Sequence, residues 1–223
     1  MDHTLRRRPP PRLRGGVEAN ASISPVLPLL LLQTMRDMDR PAEVLEAEDL
    51  TVSLPRRLGL SDVVLSQIRR FQDEARQKRL QPASSVEDLI RLVGRRPDAR
   101  AIFEEAGRRM AQHAWRQRGG TLRRLGRYLP RPLAMLRAKR AARRLFGRMV
   151  GDSRLRVNRW PPELHVGDAL TVRADPGGDA CALYAGAYEE LLQQYTGRPY
   201  RAVHPLCAAR GDDHCAWAVR LAG

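Results

Sequence analysis

Two hydrophobic periods divide this chain, and the change from one to the other most limits what it can fold into. Up to about residue 150 apolar side chains recur at helical spacing; beyond residue 160 they fall into short runs bounded by Gly and Pro. In residues 60–79 Val64, Leu65, Ile68, Phe71 and Ala75 share one helix face. Ser85 and Asp88 resemble a capping box, with Asp in the usual Glu place, and open a short helix ending near Gly94. From Pro97 a further helix carries the stripe Ile102, Phe103, Ala106, Met110 and Ala114. Glu104–Arg108 and Glu105–Arg109 lie four apart in the favourable order on its outer side, and Gly119 with Gly120 ends it. After Pro130 and Pro132, a helix to Val150 sets Met135, Ala138, Ala142, Leu145, Phe146 and Met149 against Arg137, Arg140, Arg144 and Arg148.

Beyond residue 160, Pro161, Pro162 and Gly167 frame a loop, and residues 169–174 alternate as a strand does. Residues 180–194 are helical in pattern and end at Gly197 and Pro199. Tyr200 to Leu206 and Cys215 to Leu221 read as two strands joined by a loop containing Gly211. Helices first and a small antiparallel sheet last make this an α+β domain. At the other end, residues 1–20 hold Pro, Arg and Gly with few apolar groups and read as a disordered basic tail. The run from Pro25 to Leu32 imitates a signal peptide, but Pro28 interrupts it, no small-x-small site follows, and an amphipathic pattern continues to Arg40. At about eight apolar residues it is far short of the roughly 20 that span a bilayer. Ser24 as N-cap and Pro25 at the first helical position make it the first helix of one domain, residues 21–223. Residues 21–150 are its helical part and 160–223 its α/β part.

The formal charge is +15, from 40 basic and 25 acidic residues, and its distribution matters more than its size. Residues 116–159 hold fifteen basic side chains against one acid, Asp152, a net +14. Such a block attracts nucleic acid, anionic lipid or a carboxylate-bearing ligand, or it is a solvated helix face. No nucleic-acid motif accompanies it and aromatic residues are sparse there, which argues against nucleic acid.

Three cysteines are too few, and odd in number, for a secreted disulfide framework, so a reducing cytoplasm is the expected compartment, with membrane association through the basic block as an addition. All three lie in the last segment: Cys181, Cys207 and Cys215, joined by His204. His204-x-x-Cys207 places two donors at one strand end, Cys215 starts the returning strand, and Cys181 opens the preceding helix. The four suit a closed tetrahedral Cys3His site for Zn²⁺. By spacing alone they equally suit small buried hydrophobes. Asp212, Asp213 and His214 are near enough to substitute as ligands, or they form a polar turn.

The stretch from Cys181 to Val219, with Gly186, Leu191, Gly197, Cys207, Gly211, Asp212 and Cys215 at matching places, resembles the C-terminal signature of the 4-vinyl reductase domain family. Ile23-Ser24-Pro25, Glu105 to Arg109 and Tyr128-Leu129-Pro130 agree with it upstream, as in the stand-alone bacteriochlorophyll-pathway members. The resemblance covers roughly residues 22–223 and is specific in the last 40. It implies a ligand-binding fold shared with aromatic-responsive sensor domains of transcription activators and with vesicle-tethering subunits. In those sensors a Cys, Glu, Cys, Cys set binds zinc beside a pocket for a small aromatic. Here His204 stands where the Glu is expected, which keeps a good ligand and makes the site less anionic.

The resemblance therefore implies zinc at Cys181, His204, Cys207 and Cys215 and a hydrophobic aromatic or tetrapyrrole ligand, at the 8-vinyl reduction step of (bacterio)chlorophyll synthesis. A reductase needs a hydride source, yet no G-x-G-x-x-G follows a strand and no cysteines are spaced for an iron–sulfur cluster. Binding needs only a pocket and a rim. Arg140 and Arg144 suit a rim for propionate groups, since Arg holds carboxylates bidentately. His113, three residues past Met110, suits a ligand contact or a core histidine; Trp115, like Trp160 and Trp217, suits a pocket wall or the core. His165 has no partner visible in the sequence. A sensor or adaptor, an anionic membrane surface and a homodimer complete the expected functions and partners.

Overall fold

The computed structural model describes residues 22–39, 61–117, 130–150, 155–158, 162–167 and 169–222. The basic tail at 1–20, the double glycine at 119–120 and Trp160 lie outside them. Helix α1 is Val26–Asp39, and the Ser24 hydroxyl accepts the Val26 amide at 3.3 Å ahead of it. Helix α2 is Asp62–Arg76, where the Ser61 hydroxyl accepts from Val64, and α3 is Ala83–Gly94. Helix α4 is Ala99–Arg116 and α5 is Arg131–Met149. Then come α6, Leu170–Ala174, and α7, Ala182–Thr196. Strands β1 (Ser22–Ile23) and β2 (Gln81–Pro82) pair with each other. Strands β3 (Leu155–Val157), β4 (Glu163–Val166), β5 (Tyr200–Leu206) and β6 (Cys215–Leu221) form one antiparallel sheet in the order β3-β4-β6-β5. This is an α+β fold.

Helix α7 joins the two layers, packing on α4 and α5 on one side and on β5 on the other. Its contact with α4 depends on two absent side chains. A Cβ on Gly186 would collide with the carbonyl oxygen of Glu104, and one on Gly107 with that of Leu183. The helices meet backbone to backbone, an approach that only glycine permits. Of the apolar stripes read from the sequence, Val64, Ile68 and Phe71 on α2, Ile102, Phe103, Ala106 and Met110 on α4, and Met135, Ala138, Ala142, Leu145 and Phe146 on α5 are buried, Leu65, Ala75 and Ala114 are half-buried, and the Met149 side chain lies outside the described residues. Arg109 reaches from α4 to Asp37 on α1 at 2.6 Å, and Arg96 holds Asp39 at the end of α1 at 2.6 Å. Both outer pairs on α4, Glu104–Arg108 and Glu105–Arg109, form.

Three local readings are corrected. Residues 169–174 are not a strand: Leu170–Ala174 is helical, because Leu170 and Ala174, four apart, are buried together and the Asp175 amide closes the turn on Thr171 at 2.8 Å. The segment between Pro162 and Gly167 is not a loop but strand β4, in which Leu164 and Val166 point inward while Glu163 and His165 point away. The helix assigned to Ser85 starts at Ala83, two residues earlier; Pro82 precedes it, and Asp88 pairs with Arg91 instead of capping. Among the described residues no helix is long and apolar enough to cross a membrane.

Candidate metal centre

Strand β5 turns Tyr200, Ala202 and His204 toward α7, and the chain then tightens around Cys207. The carbonyl of Cys207 accepts the amides of Arg210 at 2.8 Å and Asp212 at 3.3 Å, so the loop folds back on its own start. The Asp212 carboxylate accepts the Cys207 amide at 2.6 Å, which fixes the ligand's backbone from the other side. Asp212 thus shapes the loop instead of offering itself as a ligand. Past Gly211 the chain enters β6 at Cys215. Cys181 arrives from the opposite layer, in a 3-10 turn at Asp179–Cys181 that leads into α7. The two arms of one hairpin and a turn more than 20 residues upstream therefore present donors to one point.

The donor atoms of Cys181, His204, Cys207 and Cys215 all lie within 4.8 Å of one another, and the three thiols are buried. Among the described residues this is the one group of three or more Cys, His, Asp or Glu so arranged. The sulfurs have few other partners: the Thr171 hydroxyl lies 3.6 Å from Cys181 Sγ, and the Ala208 amide donates to Cys215 Sγ at 3.4 Å. Nε2 of His204 is buried with no hydrogen-bond partner, which is costly for an imidazole nitrogen unless something binds it. The Cys215 thiol is shifted toward its ionised form. The hydrogen bond from the Cys181 thiol draws its pKa down against the opposing effect of burial, and His204 and the Ala208 amide add to it. The same hydrogen bond, with burial, pushes the Cys181 thiol up. A divalent cation bound here would displace the thiol protons, so its binding would depend on pH.

The imidazole of His204 is held flat. It stacks on the Trp217 indole with centroids 4.4 Å apart and planes at 1°. Trp217 stacks in turn on Tyr184 at 4.9 Å, and Tyr184 on Phe146 at 5.1 Å, so a column of rings runs from α5 through α7 into the sheet. Nε1 of Trp217 and the hydroxyl of Tyr188 are buried without a hydrogen-bond partner among the described residues.

The remaining candidates have separate surroundings. His113, half-buried on the last turn of α4, pairs with Gln117 at 2.8 Å, and burial lowers its pKa. Trp115 meets Tyr195 edge to face at 4.9 Å against the core. Arg140 and Arg144 are exposed on α5. His165, for which the sequence offered no partner, has three: Glu163 at 3.2 Å, His214 at 3.2 Å and Asn158 at 3.4 Å. Strand β4 supplies the reason, since its alternation puts Glu163 and His165 on the same face beside the start of β6. The ring column and the Thr171, Ala208 and Asp212 contacts were not foreseen; each depends on partners distant in sequence or on backbone amides. Comparison of the chain with models of protein families, with curated proteins and with solved structures gives no match.

Proposed function

We propose that Cys181, His204, Cys207 and Cys215 form a structural zinc centre in a domain that binds a hydrophobic aromatic or tetrapyrrole ligand. The observation that carries the metal reading is the convergence of four soft donors within 4.8 Å in a buried place. Three thiolates and an imidazole are a donor set of zinc, and with all four positions filled by protein the centre is closed, hence structural. Three thiolates around Zn²⁺ leave one net negative charge, where a fourth, carboxylate ligand would leave two. The metal would fasten β5 and β6 to the start of α7. Zinc supplies no redox chemistry, so the centre itself does not reduce anything.

The ligand reading rests on the resemblance to 4-vinyl reductase domains and is supported by the two buried donors, Trp217 Nε1 and Tyr188 Oη, which lack acceptors among the described residues. A flat conjugated ligand with oxygen acceptors suits them. The place that fits is the 8-vinyl reduction step of (bacterio)chlorophyll synthesis, in a reducing compartment that keeps the three cysteines as thiols.

Metal analysis of the purified chain tests the first half: one zinc per molecule is expected, and Cys207→Ser should lose it. A zinc-free preparation from zinc-replete cells, or full zinc in Cys207→Ser, overturns the centre. For the second half, a divinyl tetrapyrrole should bind saturably and remain unreduced with NADPH as sole reductant. Turnover under those conditions would establish a reductase in place of a binding module.

A further inference from the structure

The arginines of α5 differ from those elsewhere in having no acid among them. On α2, α3 and α4 arginines are interleaved with carboxylates and pair with them, as in Arg70–Glu74, Arg91–Glu87 and Arg109–Glu105. On α5, Arg131, Arg137, Arg140, Arg143 and Arg144 are exposed, and none has a carboxylate partner among the described residues. The sequence supplies the cause: residues 130–151 contain neither Asp nor Glu. Arg137 and Arg140 are three apart and Arg140 and Arg144 four apart, so like charges face each other along the helix and destabilise it. Arg131, in the first turn, also meets the positive end of the helix dipole. Folding does not need this arrangement, because the opposite face of α5, with Ala134, Ala138, Ala142 and Leu145, is already buried in the protein.

We propose that this face of α5 docks on an anionic lipid bilayer. Four to eight basic residues on one side of an amphipathic helix form a footprint for anionic headgroups, and the four exposed arginines that share one side of α5, Arg137, Arg140, Arg143 and Arg144, fall in that range. The apolar side of α5 is occupied by the core, so the helix lies on the surface and does not insert. Leu133, 49 % exposed in the first turn among these arginines, favours a bilayer over a nucleic acid. The headgroup–acyl boundary buries an apolar side chain, whereas a phosphate backbone does not. The described exposed face of α5 also carries no aromatic ring on which a base could stack.

Co-sedimentation of the full chain with vesicles tests this, using phosphatidylcholine alone and phosphatidylcholine with phosphatidylserine, at low and high salt, with duplex DNA in parallel. Binding is expected only with phosphatidylserine and should weaken by about tenfold or more at high salt. The triple variant Arg137→Glu, Arg140→Glu, Arg144→Glu should lose binding by a similar factor. The milder Arg→Gln triple should be intermediate, and it covers the case in which charge reversal impairs folding. A control with the same charge change away from α5, Arg69→Glu, Arg79→Glu, Arg100→Glu, should stay within about twofold. Vesicle binding unchanged in both α5 triples, or a control that falls as far, overturns the proposal. So does tighter, α5-dependent binding of duplex DNA, or a triple that loses a propionate-bearing tetrapyrrole while keeping the vesicles.

Discussion

The α4–α7 contact and the β5–β6 hairpin both bring backbone segments close together, by opposite means. Between the helices side chains are removed: Gly107 and Gly186 let carbonyl and helix surface touch. At the hairpin polar side chains are brought in, and three thiols with one imidazole share a buried volume. The first contact satisfies itself, since its polar groups are already spent on helical hydrogen bonds. The second leaves His204 Nε2 buried without a hydrogen-bond partner beside three buried thiols, a group that could hold a metal ion. A self-sufficient helical contact is thus joined, chiefly through α7, to a hairpin with a place for a metal ion.

Removing the metal is the largest test of that difference. Chelation should cost more than about 5 kcal/mol, since binding free energy is folding free energy here, and lower the thermal midpoint by about 10 °C or more. Hydrogen exchange should rise in β5 and β6 while the amides of α4 keep their protection. A chelated protein with an intact hairpin would erase the contrast. Next in size, Gly186→Ala should destabilise the fold by about 3 kcal/mol, because the new methyl meets backbone on both helices and neither can yield cheaply. Its zinc content should be unchanged, and a neutral melt would mean that α4 and α7 can part without loss.

The smallest effect sharpens the comparison from the helical side. Hydrogen bonds from Arg96 hold the Asp98 carboxyl below the ordinary range, against some opposition from burial. A depressed folded-state pKa contributes stability above the unfolded value and loses it as the pH falls. Asp98→Asn should therefore cost about 0.5 kcal/mol at pH 7, discounted because the side chain is 37 % exposed. Wild type and variant should converge as the pH drops below the ordinary Asp value of about 3.9. Denaturation at the two pH values decides it, and an undiminished gap in acid would place the effect elsewhere.

The parts of the fold legible in the sequence are those whose signal repeats within one segment. The stripe on α4 offers Ile102, Phe103, Ala106 and Met110 in one run, and the hairpin strands are two seven-residue runs on either side of a loop with Gly211. Helix α6 was misread because a single turn gives too few residues to tell a period of two from one of 3.6. Strands β1 and β2, two residues each, with paired Ile23 and Gln81 58 positions apart, carry no local pattern. At the centre the ligands were legible, because only certain side chains hold a metal. Their supports were not, because an amide at Ala208 or an aromatic stack is chosen by geometry and not by residue type.

The column of rings has an optical consequence. With the His204 imidazole flat against one face of the Trp217 indole and Tyr184 against the other, that chromophore is sealed from water on both sides. Any event that draws His204 away opens one face to solvent and moves the emission to the red. Trp217 is thus an intrinsic gauge of whether the centre is assembled, legible in a cuvette with no label attached, at one end of a ring column whose other end, Phe146, belongs to the arginine helix.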